Sequence, residues 1–186
     1  MRKTIFSALV LTALAASPFL SAQSASDQKV DSVAYFNKMA AVLQHPRCLN
    51  CHPRGDQPTQ GSDMHVHIMN VQRGPDDHGA TAAKCATCHQ SENNLTSGVP
   101  GAPKWGLAPK SMAWQGLTKH EICLAIKDPV KNHGKSLQDL IQHNGEDKLV
   151  AWGWHPGVGR EPAPGTQKEF GENTKKWVET GAYCPD

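Results

Sequence analysis

Two five-residue runs, Cys48-Leu49-Asn50-Cys51-His52 and Cys85-Ala86-Thr87-Cys88-His89, constrain this chain more than any other feature. Each is Cys-x-x-Cys-His, the spacing at which c-type haem is attached. The two thiols add across the two vinyl groups of one haem, and the histidine that follows lies beneath the iron. Two covalently bound haem c groups are therefore expected, with Cys48, Cys51, Cys85 and Cys88 as attachment points and His52 and His89 as proximal iron ligands. A zinc site built from four thiols, or a pair of thioredoxin-like redox motifs, explains Cys-x-x-Cys but leaves the histidine after both pairs without a role.

Composition agrees with a bulky cofactor. A chain of 186 residues forms one domain or two very small ones. With 16 Gly and 13 Pro against five Trp, four Phe and two Tyr, it is rich in loops and short of large apolar side chains. A core of that kind is expected to be filled in part by something other than protein.

The first residues follow the plan of a secretory signal peptide. Arg2 and Lys3 precede an apolar run from Ile5 to Ala16, broken by Pro18 and followed by small residues at Ser21, Ala22, Ser24 and Ala25. A retained anchor needs about 18–20 uninterrupted apolar residues. Residues 1–24 are therefore read as the signal, cleaved after Ala22 or Ser24, and residues 25–186 as one domain exported to the periplasm. Removing Arg2 and Lys3 brings Lys+Arg from 19 to 17, equal to the 17 Asp+Glu. No basic run or basic patch interleaved with aromatics remains, so a nucleic-acid partner is not expected. Nor is any membrane span expected after cleavage.

The remaining pattern is mostly α with long Pro/Gly-rich loops. Val33, Phe36, Ala40 and Leu43 fall on one helical face, with Asp31 or Ser32 as N-cap, residues 25–30 as a flexible leader and Pro46 as the stop. Residues 53–79 read as loop with a short ordered stretch from Met64 to Val71, and the alanines before the second motif predict a short helix over Ala80–His89. Residues 90–117, carrying Pro100, Pro103 and Pro109, read as an irregular strap that needs a surface to lie on. Thr118 with Glu121 and Thr166 with Glu169 have capping-box spacing, and Ser136 caps a turn carrying Leu137, Leu140 and Ile141. Gly181 is a C-terminal stop. Cys123 and Cys184, left over in an exported chain, pair most simply as a disulfide, with free thiols as the alternative.

An electron carrier needs a sixth ligand on each iron, whereas a catalyst or sensor leaves one face open. Eight histidines and four methionines lie outside the signal and the two motifs. His67 and Met112 are the preferred ligands: His67 lies between the motifs beside His65, and Met112 sits in the proline-stiffened run Leu107 to Trp114. His143 is the reserve, with His65 and Met69 also open. Arg73, Lys84, Lys110 and Arg160 are candidates to pair with haem propionates.

Several stretches make the likeness narrower than cytochromes c in general. They are Arg47 to Pro53, His67 to Gly74, Cys85 to Asn93, Trp105 to Gly116, Asp147 to Trp154 with Pro156 and Gly157, and Gly181 to Pro185. From roughly Phe36 to Pro185 the chain resembles the small exported dihaem c-type cytochromes of proteobacteria, often labelled isoquinoline 1-oxidoreductase subunits. The resemblance implies a helical dihaem cytochrome c-like domain whose partner is a periplasmic redox protein or oxidoreductase, such as a molybdenum hydroxylase, and a downstream acceptor. It does not imply catalysis by this chain, which lacks molybdopterin and iron–sulfur machinery. The competing expectation is a haem enzyme or gas sensor for peroxide, NO or CO; a haem-delivery factor is a weaker third.

Overall fold

A computed structural model describes residues 24–186. The expected signal peptide therefore lies almost wholly outside the described residues. Among the described residues, six α-helices account for most of the regular structure: α1 (Ala25–Leu43), α2 (Pro46–Leu49), α3 (Lys119–Lys127), α4 (Leu137–Glu146), α5 (Lys148–Ala151) and α6 (Gln167–Glu179). Two antiparallel ladders of two-residue strands complete it, β1 (Thr59–Gln60) with β2 (His65–Val66) and β3 (Gly79–Ala80) with β4 (Ala83–Lys84). The protein is mostly helical, as its patterning indicates.

Helix α1 starts earlier than expected. The Ser24 hydroxyl accepts from the Asp27 N–H at 3.2 Å, and Asp27 lies in the first turn, where a carboxylate favours the helix N-terminus. The expected leader at 25–30 is thus helical. Ser32, one of the two expected caps, is instead buried inside the helix, donating to the Trp177 carbonyl and accepting from the Tyr183 N–H. Phe36, Met39, Ala40 and Leu43 form the buried face, and Phe36 meets Trp177 of α6 with ring centroids 5.4 Å apart.

The three predicted caps in the last third are present. Thr118 and Glu121 close a reciprocal capping box on α3, Ser136 and Asp139 one on α4, and the Thr166 hydroxyl accepts from the Glu169 N–H at the start of α6. Gly181 ends α6 with φ +102°, a left-handed conformation that L side chains rarely adopt. Beyond it, Cys184 is bonded to Cys123 of α3, with Cα atoms 5.7 Å apart.

Helix α6 packs between α1 and α4. Where it meets α4 the backbones come very close: a Cβ added at Gly171 would lie 2.6 Å from the Cα of Gly145. Asn144 of α4 donates to Thr174 of α6, both buried.

The predicted helix over Ala80–His89 is absent. Gly79, at φ +92°, opens the β3–β4 ladder, and a 3-10 turn over Cys85–Thr87 follows. Alanine's helix propensity is worth only tenths of a kcal/mol per residue, so a tight turn fixed by a left-handed glycine overrides it. The strap at 90–117 is irregular as expected, and the surface it lies on is the first motif. The Ala108 N–H donates to the Cys51 carbonyl, and the Trp114 N–H to that of His52. No helix among the described residues is long and apolar enough to cross a membrane.

Candidate functional site

Both Cys-x-x-Cys-His motifs are short turns. In the first, Pro46 starts α2 and His45 caps it, so the chain enters with its φ preset by the proline ring. The turn directs His52 into a cavity of about 260 Å³. In the second, the 3-10 turn after the β3–β4 ladder directs His89 into a neighbouring cavity of about 550 Å³. Cys48 and Cys51 line the first, Cys85 and Cys88 the second, and Cys51 faces both. Arg47, Gly106, Leu107 and Trp152 also line both cavities, which therefore share a wall.

The two histidines are held by one repeated device. His52 Nδ1 lies 2.6 Å from the Met112 carbonyl and His89 Nδ1 lies 2.7 Å from that of Pro100. A carbonyl oxygen only accepts, so each Nδ1 carries the proton and each Nε2 keeps its lone pair. The Trp114 ring stacks on His52 at 3.5 Å and 9°, and the Trp105 ring on His89 at 4.5 Å and 6°. The strap supplies both carbonyls and both indoles. Burial pushes His52 down to about 4, with the neighbouring His143 charge also lowering it against the opposing Met112 hydrogen bond, and burial likewise lowers His89. Both rings are thus neutral, as metal ligands must be.

Burial drives the thiols of the first motif the other way, to about 12 for Cys48 and about 11 for Cys51. Both thiols are therefore protonated at neutral pH, unlike the low-pKa thiolate of a Cys-x-x-Cys redox motif. Among the described residues no three His, Cys, Asp or Glu side chains converge as they would on a bare metal ion.

His67 faces His89 across the larger cavity, ring centroids 6.0 Å apart and planes at 70°. Its Nδ1 is taken by the Ile68 carbonyl at 2.6 Å. An imidazole nitrogen sits about 2 Å from a first-row metal, so two such bonds plus the ring radii match the observed gap. His65, two residues earlier, points instead to Asp63 at 2.7 Å and is exposed. Met69 lines the same cavity but is 80% exposed.

In the smaller cavity Met112 and His143 are both present. The Met112 carbonyl receives the His52 proton, which puts this stretch of backbone behind the proximal imidazole. His143 comes from α4, its Nδ1 3.5 Å from Asp147 Oδ2, and that contact is the chief reason Asp147 is held at about 2. A histidine whose Nδ1 is oriented by a carboxylate is arranged as metal-ligating histidines generally are.

Of the cations expected to meet propionates, three are already paired: Arg73 with Asp77 and Asp56, Lys84 with Asp76, and Lys110 with Asp56. Arg160 bonds only to the carbonyls of Pro156 and Gly98. The sequence reading missed Arg47, 4% exposed and on the wall common to both cavities. Its place directly before Cys48 was the available signal. Three buried side-chain polar atoms among the described residues lack a hydrogen-bond partner, Arg47 Nε, Arg73 Nε and Trp114 Nε1, and all three belong to cavity-lining residues. Unmet donors of this kind fit a ligand that carries acceptors.

No family model, curated protein or solved structure matches this chain. Its function is therefore argued from its own residues.

Proposed function

We propose that this chain is an exported dihaem c-type cytochrome that passes electrons between a periplasmic oxidoreductase, such as a molybdenum hydroxylase, and a downstream acceptor. The observation that carries the reading is the duplicated setting of the motif histidines: each has its Nδ1 on a strap carbonyl, its ring stacked on a tryptophan, and a place on the wall of a cavity that its own two cysteines also line. Disulfide-exchange chemistry requires none of these features, and among the described residues no three His, Cys, Asp or Glu side chains gather as a bare zinc ion would need. The narrower reading, a helical cytochrome c-like domain akin to the small exported dihaem family, belongs to the same proposal.

The iron of each haem supplies a one-electron Fe(III)/Fe(II) couple. The chain's part would be to hold each iron between two of its own side chains. His89 and His67 serve the larger cavity. In the smaller cavity His143, rather than the Met112 of the sequence expectation, would be the second ligand, because the Met112 carbonyl is already bound to the far nitrogen of His52 and its side chain would have to reach past that ring. A second histidine within each cavity favours a carrier, since an iron held by both would leave no coordination position for peroxide or gas. The wall shared at Cys51, Leu107 and Trp152 would keep two cofactors adjacent, as rapid internal transfer requires. The Cys123–Cys184 bond suits an oxidising compartment. Cleavage after Ala22 suits the structure better than cleavage after Ser24, because it leaves the α1 cap in place.

The test is an optical spectrum of the periplasmic protein, oxidised and reduced, with and without carbon monoxide, and with haem counted per chain. Two haems and a reduced Soret band indifferent to carbon monoxide are expected. A full equivalent of carbon monoxide bound by the wild-type protein overturns the carrier reading in favour of an enzyme or gas sensor.

A further inference from the structure

Two arginines stand at the larger cavity without a carboxylate. Arg47 is 4% exposed, donates from one terminal nitrogen to Ser62 Oγ at 3.1 Å, lies with its guanidinium carbon 6.0 Å from the Trp152 ring, and leaves Nε with no partner. Arg160 lines the same cavity and spends its hydrogen bonds on the Pro156 and Gly98 carbonyls. The Arg160 charge acts on Arg47, and Glu161 offsets it only from a distance: among the described residues no ion pair involves Arg47, Arg160 or Glu161. Two like charges on the wall of one cavity, one of them buried and partly unsatisfied, make an arrangement that costs stability unless an anion joins it. The donor geometry of guanidinium matches a carboxylate.

We propose that Arg47 and Arg160 form a carboxylate site for haem propionate, and that Arg47, on the wall common to both cavities, is a counter-charge shared by the two haems. The inference rests on the dihaem reading above. A fixed positive charge near an iron favours its reduced form, because reduction lowers the positive charge of the centre. Arg47 therefore raises both midpoint potentials, whereas Arg160, which lines one cavity only, raises one. A site shared in this way gives the two haems a common electrostatic reference, so that change at one wall moves the whole electron path.

The experiment is a potentiometric titration of the intact holoprotein followed optically, with haem counted per chain in every variant. Arg47→Gln is expected to lower both midpoints, Arg160→Gln to lower one, and Arg47→Lys, which keeps the charge, to leave both near their original values. Arg47→Gln that retains two haems yet moves neither midpoint, or only one, overturns the proposal. If Arg47→Gln does not accumulate, the other two variants decide it: a silent Arg160→Gln, or an Arg47→Lys that behaves as a loss of charge, counts against it. Midpoints of the wild type that move on adding acetate indicate a site open to free carboxylate and overturn the propionate assignment. A wild-type chain without covalent haem overturns the dihaem reading itself, a result distinct from all of these.

Discussion

A proximal histidine is only as well placed as the groups that hold its far nitrogen. Here both far nitrogens are held by strap carbonyls and both rings are backed by indoles, so their orientation is set before any cofactor is added. Removing a distal partner should then open one iron without disturbing the other. His143→Ala is expected to bind one equivalent of carbon monoxide in the reduced state, and His67→Ala one equivalent at the other haem, whereas Met112→Leu should bind none. Carbon monoxide binding by the Met112→Leu protein would return that sulfur to the ligand position. The 70° between the His67 and His89 rings has its own signature. Nearly crossed axial imidazoles give a strongly anisotropic low-spin ferric signal, so electron paramagnetic resonance of the oxidised protein should show one such haem, and its loss in His67→Ala should leave the other signal intact.

At the scale of elements, α4 carries the proposed ligand His143 and is also a packing surface, and its position depends on glycines. Gly171→Ala puts a methyl 2.6 Å from the Cα of Gly145, so α4 has to move off α6. Overpacking of this kind costs about 1–3 kcal/mol. It should lower the midpoint of denaturant unfolding and, because α4 carries His143, also make the first haem partly reactive to carbon monoxide. Thr118→Ala, which removes the α3 capping box, should cost about 1 kcal/mol and leave the haem spectrum unchanged, since α3 carries no proposed ligand. The helices of the last third were readable beforehand because a cap is local chemistry: a hydroxyl and a carboxylate three residues apart meet whatever the rest of the chain does. The Ala80–His89 segment was misread because its conformation is imposed from outside, with Gly79 hydrogen-bonded to Arg73 and Cys85 to His78.

For the whole molecule, the Cys123–Cys184 bond fastens the tail beyond α6 to α3, closing a loop with a sequence separation of 61. On the chain-entropy account such a cross-link is worth about 4 kcal/mol. Cys123→Ser with Cys184→Ser should lower thermal stability accordingly, read by circular dichroism, while both haems and both potentials persist; loss of haem in that double variant would show that the cross-link also holds the cavities. The helix caps could be named from the sequence, because each depends on residue type and a spacing of three positions, and the Cys123–Cys184 pair because it was the one left over once the two Cys-x-x-Cys-His motifs were set aside. What His67 faces, which residue stands near His52 across the smaller cavity, and that Arg47 borders both cavities depended on the tertiary structure alone. Those relations join segments far apart in the chain, and the closure of long loops around a common core, rather than any local preference, decides which side chains meet there.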